Sequence, residues 1–289
     1  MKVNKKLTVA LLIILVAAIT PNVLASKDNN PNTIVLSKDN TLVLNSEVDG
    51  DSVSAVIAKA KELDSKFSKK FTNSKAPLYL FLNTPGGSIQ SGLELIEALT
   101  GIGRKINTIT LFAASMGFQI AQGLGDRLIL KYGVLMSHHA AGEMQGSFGG
   151  VHPSQMDSRY QLWLDRVREL DEQTVSRTNN KQTYDSYTKA YDHELWLTGA
   201  KSVEQGYADK IVSVKCDASL DGFMTKHANF MGLDITYDLD LCPINTSPMN
   251  IRIASGSEKS TSREFVAEVK AKFLSQFYNK QRQVLPLVF

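Results

Sequence analysis

Two apolar runs that stop abruptly at small residues constrain this chain more than its composition does. The first, Pro77-Leu-Tyr-Leu-Phe-Leu-Asn83, breaks at Thr84-Pro85-Gly86-Gly87; the second, Asn107 to Ala114, breaks at Ser115. Neither alternates as a half-exposed strand must, and each leads into a helix-like segment, residues 88–99 and 118–124. A strand buried on both faces, a small-residue turn and a helix, repeated, predict an α/β domain whose parallel sheet lies under helices.

The remaining pattern extends this reading. Short strands are expected at 33–36 and 41–44 around the Lys38-Asp39-Asn40 turn, then a helix over 53–63 and a solvated loop over 65–75. A strand at 127–130 and a second run at 133–138 lead to His138. Residues 140–152 are Gly-rich, and 153–178 read as one long helix. Residues 183–190 continue helical, 194–198 break into Gly199, 202–206 form a short helix, and 208–212 close the core with a strand. From 213 the composition shifts: 216–249 hold several Asp and few periodic signals, and 251–258 read as a linker. Thr261-Ser-Arg-Glu264 matches a capping box, and Phe265, Val269, Phe273 and Phe277 then put an apolar stripe on one helix face, expected to pack on the body or on a neighbouring subunit.

Lys2, Lys5 and Lys6, the apolar run Leu7 to Ile19 and the small residues at 23–25 predict a secretory signal peptide over 1–25, followed by a polar disordered lead-in over 26–32. Three of the 32 basic residues and no acidic one fall in that segment, so the remainder balances 29 against 29. Nothing in that balance points to nucleic acid. Export to a periplasm or the extracellular space gives Cys216 and Cys242 an oxidising setting, in which a disulfide between them is expected. The domain plan is therefore a leader (1–25), a lead-in (26–32), an α/β body (33–214) and an extension (215–289).

The chemistry-bearing residues lie at the ends of these runs. Ser115, on a sharp strand-to-helix turn, is a candidate nucleophile that needs a base. His138 and His139 are candidate bases, and Asp192 and Glu194 are candidates to hold the imidazole in one tautomer. Gly86 and Gly87 can bring backbone N–H groups close to a developing oxyanion, and so can Met116 at a helix start. Taken singly, each motif is more often an ordinary turn, a surface histidine or a solvated acid.

In combination, Asn83-Thr-Pro-Gly-Gly-Ser-Ile, Ala113-Ala-Ser-Met-Gly117, Met136-Ser-His138 and the segment from Trp196-Leu-Thr through Asp209 resemble the Clp protease proteolytic subunit family of serine peptidases, over about residues 33–214. The resemblance implies a ClpP/crotonase-like spiral of β-β-α units with a protruding long helix, here followed by a C-terminal extension. It implies Ser115 as nucleophile, His138 as base and Glu194 as acid, with Asp192 the second choice. It also implies an oxyanion hole from Gly86, Gly87 and Met116, no cofactor or metal, peptide substrates and stacked homo-oligomeric rings. The family acid is usually Asp, so Glu194 is a departure. A leader is another departure: an exported copy would work without a Clp ATPase. Rival readings are a crotonase-like acyl-CoA enzyme, a Ser-Lys peptidase using Lys131, and a non-catalytic oligomeric scaffold.

Overall fold

The computed structural model describes residues 32–70, 76–141, 152–253 and 263–282. The expected leader, the lead-in through residue 31, the Gly-rich stretch 142–151, the linker from 254 and the first half of the capping box lie outside the described residues.

The chain runs β1 (Thr33–Leu36), β2 (Thr41–Leu44), α1 (Gly50–Lys70), β3 (Leu78–Thr84), α2 (Ile89–Thr100), β4 (Ile106–Ala114), α3 (Met116–Gly123) and β5 (Arg127–Ser137). Then follow α4 (Pro153–Ser176), α5 (Tyr184–Ala190), β6 (Leu195–Thr198), α6 (Gly199–Glu204) and β7 (Lys210–Cys216). The main sheet has the order β1-β7-β5-β4-β3-β2, with β6 paired antiparallel to β5 and every other pairing parallel. Both doubly apolar runs are interior strands, flanked on each side by another strand. Their side chains enter two clusters, one around Leu80, Leu82 and Phe118, the other around Phe81, Ile109 and Val212.

β1 and β2 are close in sequence yet sit at opposite ends of the strand order, and neither pairs with the other. The connection from Leu36 to Thr41 can span at most about 18 Å, while six strands laid flat would separate the two end strands by about 24 Å. The sheet therefore curls toward itself, as a spiral α/β fold requires. Asn40 bridges the gap: its Nδ2 donates to Val35 O at 3.0 Å and its carbonyl accepts from Tyr79 N at 2.8 Å.

Three sequence expectations are corrected. Helix α1 runs to Lys70 rather than yielding to a loop at 65; Glu62 accepts from Lys59 at i−3 and Lys66 at i+4, a pattern that supports helix where a Lys/Ser-rich composition suggested coil. The two runs before His138 are one strand, β5, with a register shift: Thr110 faces Ile129, but Phe112 already faces Val134. The extra residues around Gly133 let β5 change partners, from β7 at 128–130 to β6 at 134–137. Beyond 216 the chain forms a second sheet, β8 (Phe223–Phe230), β9 (Leu233–Asp240) and β10 (Met249–Ile253), in the order β10-β9-β8. Residues 251–253 are thus strand, not linker.

Helix α7 (Arg263–Arg282) covers this small sheet. Val269 and Phe273 are buried, and Phe273 meets Phe230 and Tyr237 with ring centroids 5.5 and 5.2 Å apart. Val269 and Phe273 of the stripe therefore pack on the extension's own sheet, rather than on the 33–214 body or a neighbouring subunit as the spacing alone suggests; the side chains of Phe265 and Phe277 lie outside the described residues. Cys216, at the end of β7, is joined to Cys242, after β9, by a disulfide.

Candidate active site

The site lies where β3, β4 and β5 end, the side of a parallel sheet on which α/β folds place ligands. β4 delivers Ser115. Its N–H donates to Met136 O on β5 at 2.9 Å, and its carbonyl accepts from Gln119 N inside α3. Held between a strand and a helix, Ser115 adopts φ 55° and ψ −120°. That backbone is costly for a residue with a Cβ, and it persists only where the surroundings enforce it. It turns the hydroxyl out of the sheet, into a cleft of about 210 Å³ that Ser115, Met116, Gly87 and His138 all line.

β3 delivers the glycines. Gly86, at φ 96°, leaves no room for a side chain: a Cβ there would sit 2.5 Å from Ala114 O, 2.7 Å from Ser115 Cβ and 2.9 Å from Met116 N. The turn is thereby pressed against the Ser115 elbow. Val48 fixes it from behind, donating to Gly86 O at 2.7 Å and accepting from Ser88 N at 2.8 Å. Gly86 N–H is committed to Thr84 Oγ1 at 3.1 Å. The N–H groups of Gly87 and Met116 have no hydrogen-bond partner among the described residues, and Met116 opens α3, where the helix dipole is positive. Of the three expected oxyanion donors, the geometry leaves these two free.

His138 immediately follows β5 and faces the same cleft as Ser115, although no hydrogen bond joins the two among the described residues. Such contacts are often open before substrate arrives. β5 and β6 pair antiparallel with Ser137 opposite Leu195 and Met136 opposite Trp196. His138 directly follows Ser137 and Glu194 directly precedes Leu195, so both flank the last pair of that ladder. Glu194, at φ 65°, accepts from the indole N–H of Trp196 at 2.9 Å. Asp192 instead pairs with His139 Nε2 at 2.9 Å, and the His139 ring stands edge-on to Tyr191 at 4.8 Å. Neither acid is hydrogen-bonded to His138 among the described residues.

Sequence reasoning missed Asp171. This acid lies on α4, one helical turn after Val167 and directly after Leu170, and the three line the Ser115 cleft together. It is 4% exposed and accepts from Tyr191 OH at 2.6 Å through Oδ2. Burial pushes its carboxyl above the usual aspartate range, against the opposing effects of the Tyr191 hydrogen bond and the nearby His139. Its place in the long-helix pattern concealed it, because an Asp there reads as solvated.

The second half of the C-terminal signature has a structural role. Arg127, 3% exposed, binds Asp209 and also donates to Gln122 Oε1, Gly206 O and Arg177 O at 2.8–2.9 Å. Asp209 is raised by burial but lowered more by hydrogen bonds and charge from Arg127, for a net depression. This cluster locks the start of β5 to the approach to β7.

A family model described as Clp protease matches residues 26–215. The chain is 28% identical to the ATP-dependent Clp protease proteolytic subunits of Streptococcus pneumoniae strains Hungary19A-6 and CGSP14. In each case the match spans 181 residues, 62% of this chain and 87% of the relative.

Proposed function

We propose, for a chain that belongs to the Clp protease family and is a serine peptidase, that it cleaves peptide bonds through Ser115, His138 and Glu194. His138 takes the Ser115 proton as Oγ attacks the peptide carbonyl. The carbonyl oxygen gains negative charge and is met by the N–H groups of Gly87 and Met116. His138 then protonates the leaving amine, and water hydrolyses the acyl-enzyme by the same proton relay in reverse. Glu194 orients the imidazole and stabilises its cation. Each oxyanion donor is worth about 10²–10³-fold in rate.

The observation that carries this reading is the strained Ser115 turn, seated against Gly86 and sharing one cleft with His138. The β5–β6 register favours Glu194 over Asp192, which His139 already occupies. A fluorophosphonate probe should label the wild type on Ser115, and Ser115→Ala should lose both the label and at least about 10⁴-fold of peptide turnover. Glu194→Gln should cost at least about 10²-fold and Asp192→Asn less than fivefold. Folded wild type that neither labels nor turns over peptides would overturn the assignment, and reversed acid effects would move the acid to Asp192.

The same reading takes the active assembly to be a homo-oligomeric ring, exported by the leader and working without an ATPase on peptides or loose chains. The 1–25 pattern and the Cys216–Cys242 bridge support export. Amino-terminal sequencing of the exported protein, with sedimentation of the mature form, tests this part.

A further inference from the structure

Most polar side chains around the Ser115 cleft are already satisfied. Gln119 accepts from Thr174 Oγ1 at 3.0 Å and donates to Tyr187 OH at 3.4 Å, and Tyr187 OH also shares a 2.8 Å hydrogen bond with Ser137 Oγ. Asp171 differs. Tyr191 OH holds Oδ2, while Oδ1 has no hydrogen-bond partner among the described residues. The apolar lining that Asp171 and the nucleophile share includes Ile89, Met116, Val167 and Leu170. Among the described residues, the only other ionisable side chains lining the cleft are His138, required as the base, and Tyr191. Oδ1 is therefore the face that this mostly buried carboxylate turns to the cleft, where a cation or strong donor would answer it.

We propose that this cleft is the pocket for the side chain on the acyl side of the scissile bond, and that Asp171 selects lysine or arginine there. The proposal rests on Ser115 being the peptidase nucleophile. An extended Lys or Arg lays its aliphatic stem along Ile89, Met116, Val167 and Leu170 and presents its charged head to Asp171 Oδ1. Tyr191, fixed at the end of α5, keeps the carboxylate turned by holding the other oxygen. An acidic residue at this position would meet like charge in a dry pocket, and an aliphatic one would leave Oδ1 unanswered.

The test uses the mature full-length protein and peptides that differ only at that residue: Lys, Arg, Leu, Met and Glu. Active-site titration with a fluorophosphonate counts competent sites first. Wild type should favour Lys and Arg over Leu by at least tenfold in kcat/KM, with Glu the poorest. Asp171→Asn keeps an acceptor for Tyr191 OH, and in it the Lys-to-Leu ratio should fall at least tenfold; Tyr191→Phe, which frees the carboxylate to turn, should lower the ratio by a smaller factor. Labelled wild type that prefers Leu or Met overturns the proposal while leaving the peptidase reading intact. So does Asp171→Asn that slows every peptide by one common factor, which would mean Asp171 acts through His138. Failure of the wild type to label counts against the peptidase reading instead.

Discussion

The two sheets of this molecule solve the problem of burial in different ways. In the main sheet, β3 and β4 are covered on both faces, and two residues in each are no more than partly exposed while the rest are buried. In the small sheet, β8 is exposed along most of its length and β9 buries little beyond Ile235 and Asp238. The first arrangement leaves the turns after its strands no freedom. The Ser115 elbow and the Gly86 turn are clamped against each other, and backbone strain can be held there for use. The second relies on one covering helix, one disulfide and a polar clamp in which Asp238 accepts from Thr225, Asn250 and Arg252. Nothing strained in it faces the cleft. On the proposed reading the chemistry belongs to the body, and among the described residues none of the extension lines the cleft.

Two glycines at positive φ sharpen this contrast most. Gly86 at φ 96° has Ala114, Ser115 and Met116 within 3 Å of a would-be Cβ, whereas Gly232 at φ 77°, in the turn between β8 and β9, meets nothing within 4 Å. Gly86→Ala should push the elbow and Met116 N–H out of place and lower kcat/KM by about 10²–10³-fold. Gly232→Ala carries only the backbone penalty of roughly 1–2 kcal/mol and should change turnover less than twofold. Equal kinetic losses would show that the extension does reach the site, and the comparison would fail.

The disulfide gives the next largest effect. Cys216 and Cys242 are 26 residues apart, and closing a loop of that size constrains the unfolded chain by roughly 3.5 kcal/mol in the chain-entropy model. Cys242→Ser should therefore speed hydrogen exchange in β8–β10 by about two orders of magnitude or more while β3 and β4 keep their protection. Peptide turnover should stay within twofold. Loss of protection in β3 and β4 as well would mean the two sheets unfold as one unit.

These contrasts follow what the sequence could and could not say. The doubly apolar runs at 77–83 and 107–114 were legible because interior parallel strands have no polar face to confuse the pattern. Ser115, Gly87, Met116 and His138 were legible because each ends such a run, and strand ends converge on one side of the sheet. The hairpin β8–β9 was also written in the chain: Leu233, Ile235, Tyr237 and Leu239 alternate, and Met231-Gly232 supply two residues of positive φ. Its acidic partners, Asp234, Asp238 and Asp240, made it read as irregular. What no local pattern carried was pairing. That β5 changes partner midway and that Asp171 turns inward both depend on residues tens of positions away; Gly86 N–H is spent locally, on Thr84 two residues back, a bond that no composition pattern announces.

The smallest effect probes the buried acid on which the body's selectivity is proposed to rest. The groups facing Asp171 are Tyr191, which donates to it, His139, whose charge reaches it, Tyr187 behind, and His138 across the cleft. Burial raises its carboxyl above the unfolded value of about 3.9. Between those two values the folded chain holds a proton that the unfolded chain has released. Stability contributed by this group is therefore greatest at low pH and is lost as pH rises through the raised value. Asp171→Asn removes that loss, so its melting midpoint should gain on wild type between pH 4 and pH 8, by a small margin. Catalysis should run the opposite way. Cleavage after Lys needs the carboxylate, and kcat/KM reports ionisations of the free enzyme. Every substrate depends alike on His138, so taking the Lys-to-Leu ratio cancels its contribution. That ratio should fall as pH drops through the Asp171 ionisation in wild type and stay flat in Asp171→Asn. A ratio independent of pH in both proteins would show that the acid lining the cleft is structural, and the body would then differ from the extension only in its strained turns.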